Sequence, residues 1–324
     1  MQVGVIGAGS WGTTVANLSA QNSPTRIWAR RSEICDSINS KSTNPRYLGE
    51  LPLHPSLTAS TSLAEVVENA DVVVIGVATT GYPETLNALA PLVRSGTPVI
   101  SLAKGLDTET GRRMTQLATD LLPGSPVGVL SGPNLAREIL AGKAAASVIA
   151  FEDLALAQQL QHVFSSELFR VYTNSDVIGC ELGGALKNVV AFAAGVADGL
   201  SAGDNARAAV ITRGLSEISR LGVALGGRHE TFAGLTGMGD LIATSISPHS
   251  RNRSAGFAFG RGQPLAEVIA EMDQVIEGIQ SAPVAARLAQ QHGIEMPITE
   301  QIRAVIEDGR TAADVYRGLL QRPL

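Results

Sequence analysis

The sequence predicts a doubly wound α/β domain followed by an all-α domain. Three observations predict it. A glycine-rich turn, Gly7-Ala8-Gly9-Ser10-Trp11-Gly12, lies between an apolar run and a helical pattern near the start. Unbroken apolar runs then alternate with helical patterns as far as Leu130, as strands buried on both faces of a parallel sheet do. After Tyr172 strand-like runs cease and helical spacing alone continues. The first half is therefore of the Rossmann type.

Taken in order, Val3 to Ile6 reads as a buried strand, Gly12 to Ala20 as a helix and Arg26 to Trp28 as the start of a second strand. Val72 to Val77, Val99 to Leu102 and Val127 to Leu130 are further apolar strands, each bounded by Gly, Pro or Asp. Thr61 to Ala70 and Thr108 to Leu122 carry helical spacing between them. The cap-like cluster Asn174-Ser175-Asp176 precedes a long helix and sets the expected boundary: a dinucleotide-binding domain over 1–174 and a helical substrate-binding domain over 175–324. Helical patterns then cover Asp204 to Leu221, Pro264 to Met272, Ser281 to His292 and Pro297 to Asp308.

Composition narrows the function. The 324 residues are 44% hydrophobic and 17% charged, enough apolar side chain for a core in each of two domains. Twenty-five Lys and Arg against 30 Asp and Glu give a net charge of −5, which argues against a generically basic nucleic-acid binder. Two cysteines, Cys35 and Cys180, cannot build a disulfide framework, and the five histidines show no ligand spacing, so no metal site is expected. Met1-Gln2 leads straight into the first strand without a basic segment, and the longest apolar stretches, such as 71–78, fall short of the ~18 residues of a membrane span. The expectation is a soluble, intracellular protein without a membrane span.

The glycine turn suits a dinucleotide. Gly7 permits a tight turn, Gly9 lets backbone approach a pyrophosphate, and Gly12 lets the helix pack close to the strand, while the helix N-terminus offers N–H groups to the phosphates. The second strand ends Trp28-Ala29-Arg30-Arg31, with no acid before Glu33. Arg30 and Arg31 suit a 2′-phosphate, so NADPH should be accepted at least as well as NADH.

In Leu182 to Ala197, LGGALKNVVAFAAGVA, Lys187 is the one charged residue. Burying an ammonium among hydrocarbon is costly without a partner, and desolvation favours the neutral amine, bringing it into the range useful for proton transfer. Gly183 and Gly184 suggest close approach of another group. Ala103-Lys104-Gly105 and Ser131-Gly132-Pro133-Asn134 stand at the C-terminal ends of predicted strands, where α/β ligands bind. In the helical half Gly237-Met238-Gly239-Asp240 and Ser250-Arg251-Asn252-Arg253 offer a carboxylate, a hydroxyl, a guanidinium fork and an amide. The combination points to a small phosphorylated substrate meeting a nicotinamide.

With these blocks in place, the chain resembles the bacterial NAD(P)-dependent glycerol-3-phosphate dehydrogenases from end to end. The resemblance rests on GAGSWGT, SLAKGLD, SGPNLARE, ELGGALKNVVAFAAGVADGL, DNARAAVITRGLSE, LTGMGDLIAT, SRNR and EMPITEQI. It implies reversible hydride transfer between sn-glycerol 3-phosphate and NADP(H) or NAD(H), a cytoplasmic role in supplying glycerophosphate for phospholipids, and a homodimer. By matching position it implies that Lys187 exchanges the proton of the C2 oxygen. It further implies that Lys104, Gly132, Asn134, Asp240, Ser250, Arg251 and Asn252 contact substrate. Ser10, Trp11, Arg30, Arg31, Lys104, Ala136, Arg251, Val275 and Glu277 would surround the cofactor. The sequence departs from the family at Asn134, where Ser or Thr is commoner, at Val77-Ala78-Thr79-Thr80, and between Ile38 and Leu48, where the usual histidine is missing. One rival is a β-hydroxyacid dehydrogenase, but residue 191, a helical turn after the lysine, is Ala rather than Asn. The other, a dinucleotide sensor without chemistry, would need a basic recognition helix that the sequence lacks.

Overall fold

A computed structural model describes residues 1–272 and 275–320; residues 273–274 and 321–324 of the expected second domain lie outside the described residues. The chain divides into two compact units, Met1–Ala103 with Met114–Val177, and Lys104–Arg113 with Ile178–Leu324.

The first unit is built on an eight-stranded sheet. In chain order its elements are β1 (Val3–Ile6), α1 (Ser10–Ala20), β2 (Thr25–Trp28), α2 (Ser32–Lys41), α3 (Pro45–Leu48), β3 (Thr58–Ser60), α4 (Leu63–Val67) and β4 (Val72–Ile75). There follow α5 (Tyr82–Leu89), β5 (Val99–Ser101), α6 (Met114–Leu121), β6 (Val127–Ser131), α7 (Ala136–Leu140), β7 (Ala145–Ala150), α8 (Leu154–Phe164) and β8 (Phe169–Asn174). The strands lie in the order β3-β2-β1-β4-β5-β6-β7-β8, every pair parallel except β6–β7.

The central strands bury both faces, and successive residues feed different cores. Val3, Val5, Val72 and Val74 pack in one apolar cluster, while Ile6, Val73 and Ile75 pack in another. The order reverses between β1 and β4, so their carboxyl ends form the switch point at which open α/β sheets bind ligands. The glycine turn follows β1 at that point. Three strands were not among those expected. β3 is an exposed three-residue edge, β7 is alanine-rich, and β8 alternates buried and exposed residues at the opposite edge. None is a continuous buried run.

The second unit is helical: α9 (Val177–Gly199), α10 (Asp204–Ala224), α11 (His229–Phe232), a π-helical turn over Leu235–Gly239, α12 (Asp240–Ile246), α13 (Arg251–Gly260), α14 (Leu265–Glu271), α15 (Glu277–Gln291), α16 (Pro297–Asp308) and α17 (Ala312–Leu320). Its core is organised on α9, whose Leu182, Leu186, Val190 and Phe192 pack with Ile218 and Leu221 of α10 and with Ala285 and Ile302. By length and composition α9 could cross a membrane, with a mean hydropathy of 1.4, yet 94% of that window is buried inside the protein. Glu181, Lys187 and Asn188 interrupt α9, so it contains no unbroken apolar run of span length although its average reaches the range of a span. Its burial makes it a core helix.

The expected boundary at 174/175 and the structural division differ in one instructive way. Lys104–Arg113, which follows β5, belongs to the helical unit. Leu106 joins the helical core, Arg113 Nη1 meets Glu181 Oε2 at 2.9 Å, and Arg287 Nη2 donates to Thr108 O at 3.3 Å. A buried carboxylate with a guanidinium at hydrogen-bond distance is a costly arrangement to break, so the strap is held firmly to α9.

Candidate active site

Within the helical unit one cluster gathers residues far apart in the chain. Gly183 lies where a Cβ would come within 2.6 Å of Thr236 O, so only glycine lets α9 approach the π-helical turn this closely. One helical turn beyond Gly183, Lys187 meets the start of α12. Its Nζ donates to Asp240 Oδ1 at 2.7 Å and to Thr244 Oγ1 at 2.5 Å. Thr244 Oγ1 donates in turn to Asp240 Oδ1 at 3.1 Å, and Lys104 Nζ donates to Asp240 Oδ2 at 2.6 Å. Lys187 is 5% exposed and Asp240 1% exposed.

Two ammonium groups therefore share one buried carboxylate, leaving a net positive charge. Burial lowers the Lys187 pKa from 10.5 to about 8; Asp240 works in the opposite direction, while Lys104 and Arg251 add to the lowering. Burial pushes the Asp240 carboxyl up, but Lys104 and Lys187 outweigh it and hold the group below its ordinary value. Lys187 is thus an amine poised near neutrality beside an anion that stays ionised.

A second group sits on α13. Gly195 and Gly256 lie where a Cβ would come within 2.1 Å and 2.0 Å of the facing backbone, which seats α13 directly against α9. Ser250 caps α13 through its Oγ, which accepts from Arg253 N at 3.3 Å. Arg251 Nη1 donates to Val275 O at 2.9 Å; burial lowers the pKa of its guanidinium, and the Glu277 carboxylate works against that lowering. Asn252 Nδ2 donates to Asn188 Oδ1 at 2.9 Å, and its Oδ1 accepts from Gly278 N at 2.8 Å. Asn188 Nδ2 reaches Lys104 O at 2.9 Å, so one asparagine ties the Lys104 strap, α9 and α13 together. Lys104, Lys187, Asp240, Ser250, Arg251, Asn252, Val275 and Glu277 all lie in this unit. Thr244 and Asn188 had no functional role in the sequence reading. Thr244 shares a helical face with Asp240 at i, i+4, a spacing that would have pointed to it.

The first unit holds the remaining candidates. Gly7 has φ +111°, and a Cβ there would lie 2.8 Å from Gly76 O. A Cβ on Gly12 would sit 2.1 Å from Gly7 O, whereas one on Gly9 would meet nothing within 4 Å. Two glycines are thus required by packing, and the third leaves backbone open to a ligand. Gly9, the N-cap of α1, has no side chain to cap its first turn. These features fit a dinucleotide pyrophosphate: Gly9, Ser10 and Trp11 would present backbone to it, and the helix N-terminus would favour its charge. Ser10 Oγ donates to Tyr47 O at 3.3 Å, and Trp11 Nε1 is buried without a hydrogen-bond partner among the described residues. Arg30 and Arg31 are exposed beyond β2, Arg31 lying 3.5 Å from Glu33. After β6, Gly132 has φ +145°, Asn134 Nδ2 donates to Ser147 Oγ at 3.2 Å, and Asn134 Oδ1 is buried and unpaired among the described residues. Ala136 opens α7.

Comparison with known proteins decides the family. The N-terminal part described for NAD-dependent glycerol-3-phosphate dehydrogenases matches residues 2–157, and the C-terminal part matches 176–317. The chain belongs to the NAD-dependent glycerol-3-phosphate dehydrogenase family. Among relatives, the glycerol-3-phosphate dehydrogenase [NAD(P)+] 2 of Sphingopyxis alaskensis is 54% identical over 99% of this chain and 96% of its own length. The glycerol-3-phosphate dehydrogenase [NAD(P)+] of Mycobacterium avium is 48% identical over 98% and 94%. A crystal structure of glycerol-3-phosphate dehydrogenase from Coxiella burnetii superposes with a TM-score of 0.94 at 36% identity, covering 99% of both chains. The likeness to this family thus extends over both units.

Proposed function

We propose that the chain interconverts sn-glycerol 3-phosphate and dihydroxyacetone phosphate with NAD(P)(H), and that Lys187 exchanges the proton of the C2 oxygen. The observation that carries this assignment is the buried Lys187 ammonium held by Asp240 and Thr244 at 2.7 and 2.5 Å. A bound NAD(P)(H), held by the glycine turn, would supply hydride-transfer chemistry to C2. As the ketone oxygen gains alkoxide character, Nζ of Lys187 gives it a proton; in oxidation the neutral amine takes that proton back. Asp240 keeps the amine oriented and offsets its charge.

Lys104, Ser250, Arg251 and Asn252 are assigned to the substrate, with the cationic groups suited to its phosphate, and Gly132 and Asn134 complete the contacts. Phosphate lies away from the reacting carbon, so its binding energy positions C2 without altering the chemistry. Gly7, Gly9, Ser10, Trp11 and Gly12 are assigned to the cofactor pyrophosphate, and Arg30 and Arg31 to the adenosine end, with Lys104, Ala136, Arg251, Val275 and Glu277 as further cofactor contacts. Likeness to the family supports a role in supplying glycerol 3-phosphate for phospholipid synthesis, and the enzyme is assigned, as part of the same proposal, to the cytoplasm as a homodimer.

The deciding experiment follows absorbance at the reduced-nicotinamide band during dihydroxyacetone phosphate reduction with NADPH and with NADH. Turnover with both is expected, and turnover with neither removes the proposal. Arg31→Asp should lower kcat/KM for NADPH by about tenfold and spare NADH, since one charge-assisted pair to a phosphate is lost. Unchanged NADPH kinetics would take Arg31 out of the cofactor site.

A further inference from the structure

The connection between α2 and β3 returns over the glycine turn and places one fully buried amide against it. Asn44 is 0% exposed. Its Nδ2 donates to Ala8 O at 3.0 Å and to Thr13 Oγ1 at 2.9 Å. A single amide thus spans the turn, from the Ala8–Gly9 peptide to the first turn of α1. The orientation of the amide is fixed by chemistry, because a flipped Asn44 would set its oxygen against the Ala8 carbonyl, acceptor against acceptor. Among the described residues Asn44 Oδ1 has no hydrogen-bond partner. Burying a half-satisfied amide is unfavourable, so packing alone gives no reason for an asparagine here.

We propose that Asn44 is a positioning residue for the cofactor, which sets the direction of the backbone donors in the glycine turn. The proposal rests on the reading of that turn as the pyrophosphate site. In a trans peptide the C=O and N–H point in opposite directions. Holding Ala8 C=O on Asn44 therefore aims the Gly9 N–H away from Asn44. Gly9 is the residue whose missing Cβ leaves open space, and it tolerates several backbone conformations. Such a residue needs an external restraint if its N–H is to meet a phosphate without an ordering cost on binding. The second bond, to Thr13 Oγ1, ties the same amide to α1, so turn and helix start are set together. Ser10 Oγ on Tyr47 O adds a second link from α3.

The test uses the full-length enzyme carrying Asn44→Ala and, separately, Asn44→Asp, which keeps the shape but loses both N–H donors. NADPH binding is titrated by nucleotide fluorescence. Adenosine 2′-monophosphate, which carries the 2′-phosphate but no pyrophosphate, serves as an internal control by competition. Both variants should bind NADPH about tenfold or more weakly, bind adenosine 2′-monophosphate within about twofold of wild type, and keep kcat at saturating NADPH within about twofold. Unchanged NADPH affinity in either variant overturns the proposal. Equal weakening for both nucleotides, or loss of folded protein, also overturns it, because Asn44 would then brace the domain as a whole. Failure of wild-type enzyme to bind NADPH would instead remove the cofactor reading on which the proposal depends.

Discussion

The glycine turn and the lysine–aspartate cluster achieve their chemistry by opposite means. At the turn the working groups are backbone, and the side chains matter by being absent: Gly7 and Gly12 because anything larger collides, Gly9 because the space beside it is open. In the cluster the working groups are side chains from Lys104, Lys187, Asp240 and Thr244, residues on a strap and two helices. A backbone site is local in sequence and tolerant of burial, since its donors carry no net charge. A side-chain site of like charges in a dry setting survives only because Asp240 is shared between two ammonium groups. The first is specified by conformation, the second by electrostatics.

The contrast is broken most severely at Lys187. Lys187→Met keeps the unbranched apolar stem and removes the proton, so kcat for dihydroxyacetone phosphate reduction should fall about a thousandfold. Binding of glycerol 3-phosphate, measured by calorimetry, should stay within about threefold, because the phosphate is assigned to other residues. Near-normal turnover would end the assignment.

Asp240→Asn should cost about a hundredfold in kcat, because Lys104 and Lys187 lose the anion they share. Its sharper signature is in pH. With the Lys187 pKa at about 8, the donor is charged below that value, so reduction should be flat at lower pH and fall above about 8, while oxidation rises. Asp240 favours the charged amine, and its removal moves the alkaline limb of reduction to lower pH. A limb that stays in place would show that Asp240 does not tune this amine.

The turn is probed by a pair of alanines. Gly12→Ala puts a Cβ 2.1 Å from Gly7 O, against backbone that cannot yield cheaply, and should destabilise the protein by about 3 kcal/mol in denaturant unfolding. Gly9→Ala meets no atom within 4 Å, so stability should hold while NADPH affinity drops several-fold by fluorescence titration. Equal stability losses at the two positions would refute the division of labour between them.

The same contrast explains what was legible beforehand. Val3–Ile6, the glycine turn and α1 form one contiguous segment, so spacing alone revealed strand, turn and helix together. Lys187 was legible for a different reason: a lone charge in an apolar helix signals an energetic anomaly wherever it occurs. Its partner Asp240 was legible only through the family resemblance, since 53 residues separate the two and no periodicity links them. The strap Lys104–Arg113 was assigned to the sheet domain because it follows a strand, while its tertiary bonds to Glu181 and Asn188 draw it to the helices. β3, β7 and β8 escaped because edge or alanine-rich strands lack the doubly buried apolar signature. Asn44 escaped because a buried asparagine looks like any loop residue until its amide is seen on Ala8 O.

The smallest expected effect is at Thr244, and it tests whether the cluster works by charge alone. Thr244 Oγ1 accepts from Lys187 and donates to Asp240, so it links the pair without adding charge. Thr244→Val preserves shape and removes both bonds, which should cost about 1 kcal/mol, or roughly fivefold in kcat, with little change in the KM for dihydroxyacetone phosphate. Thr244→Ser restores the hydroxyl and should recover most of the loss. If valine were silent, the 2.7 Å ion pair with Asp240 would suffice to hold the amine, and the hydroxyl would serve only to fill a buried polar site. If serine failed to rescue, the methyl group and not the hydrogen bond would be what orients Lys187.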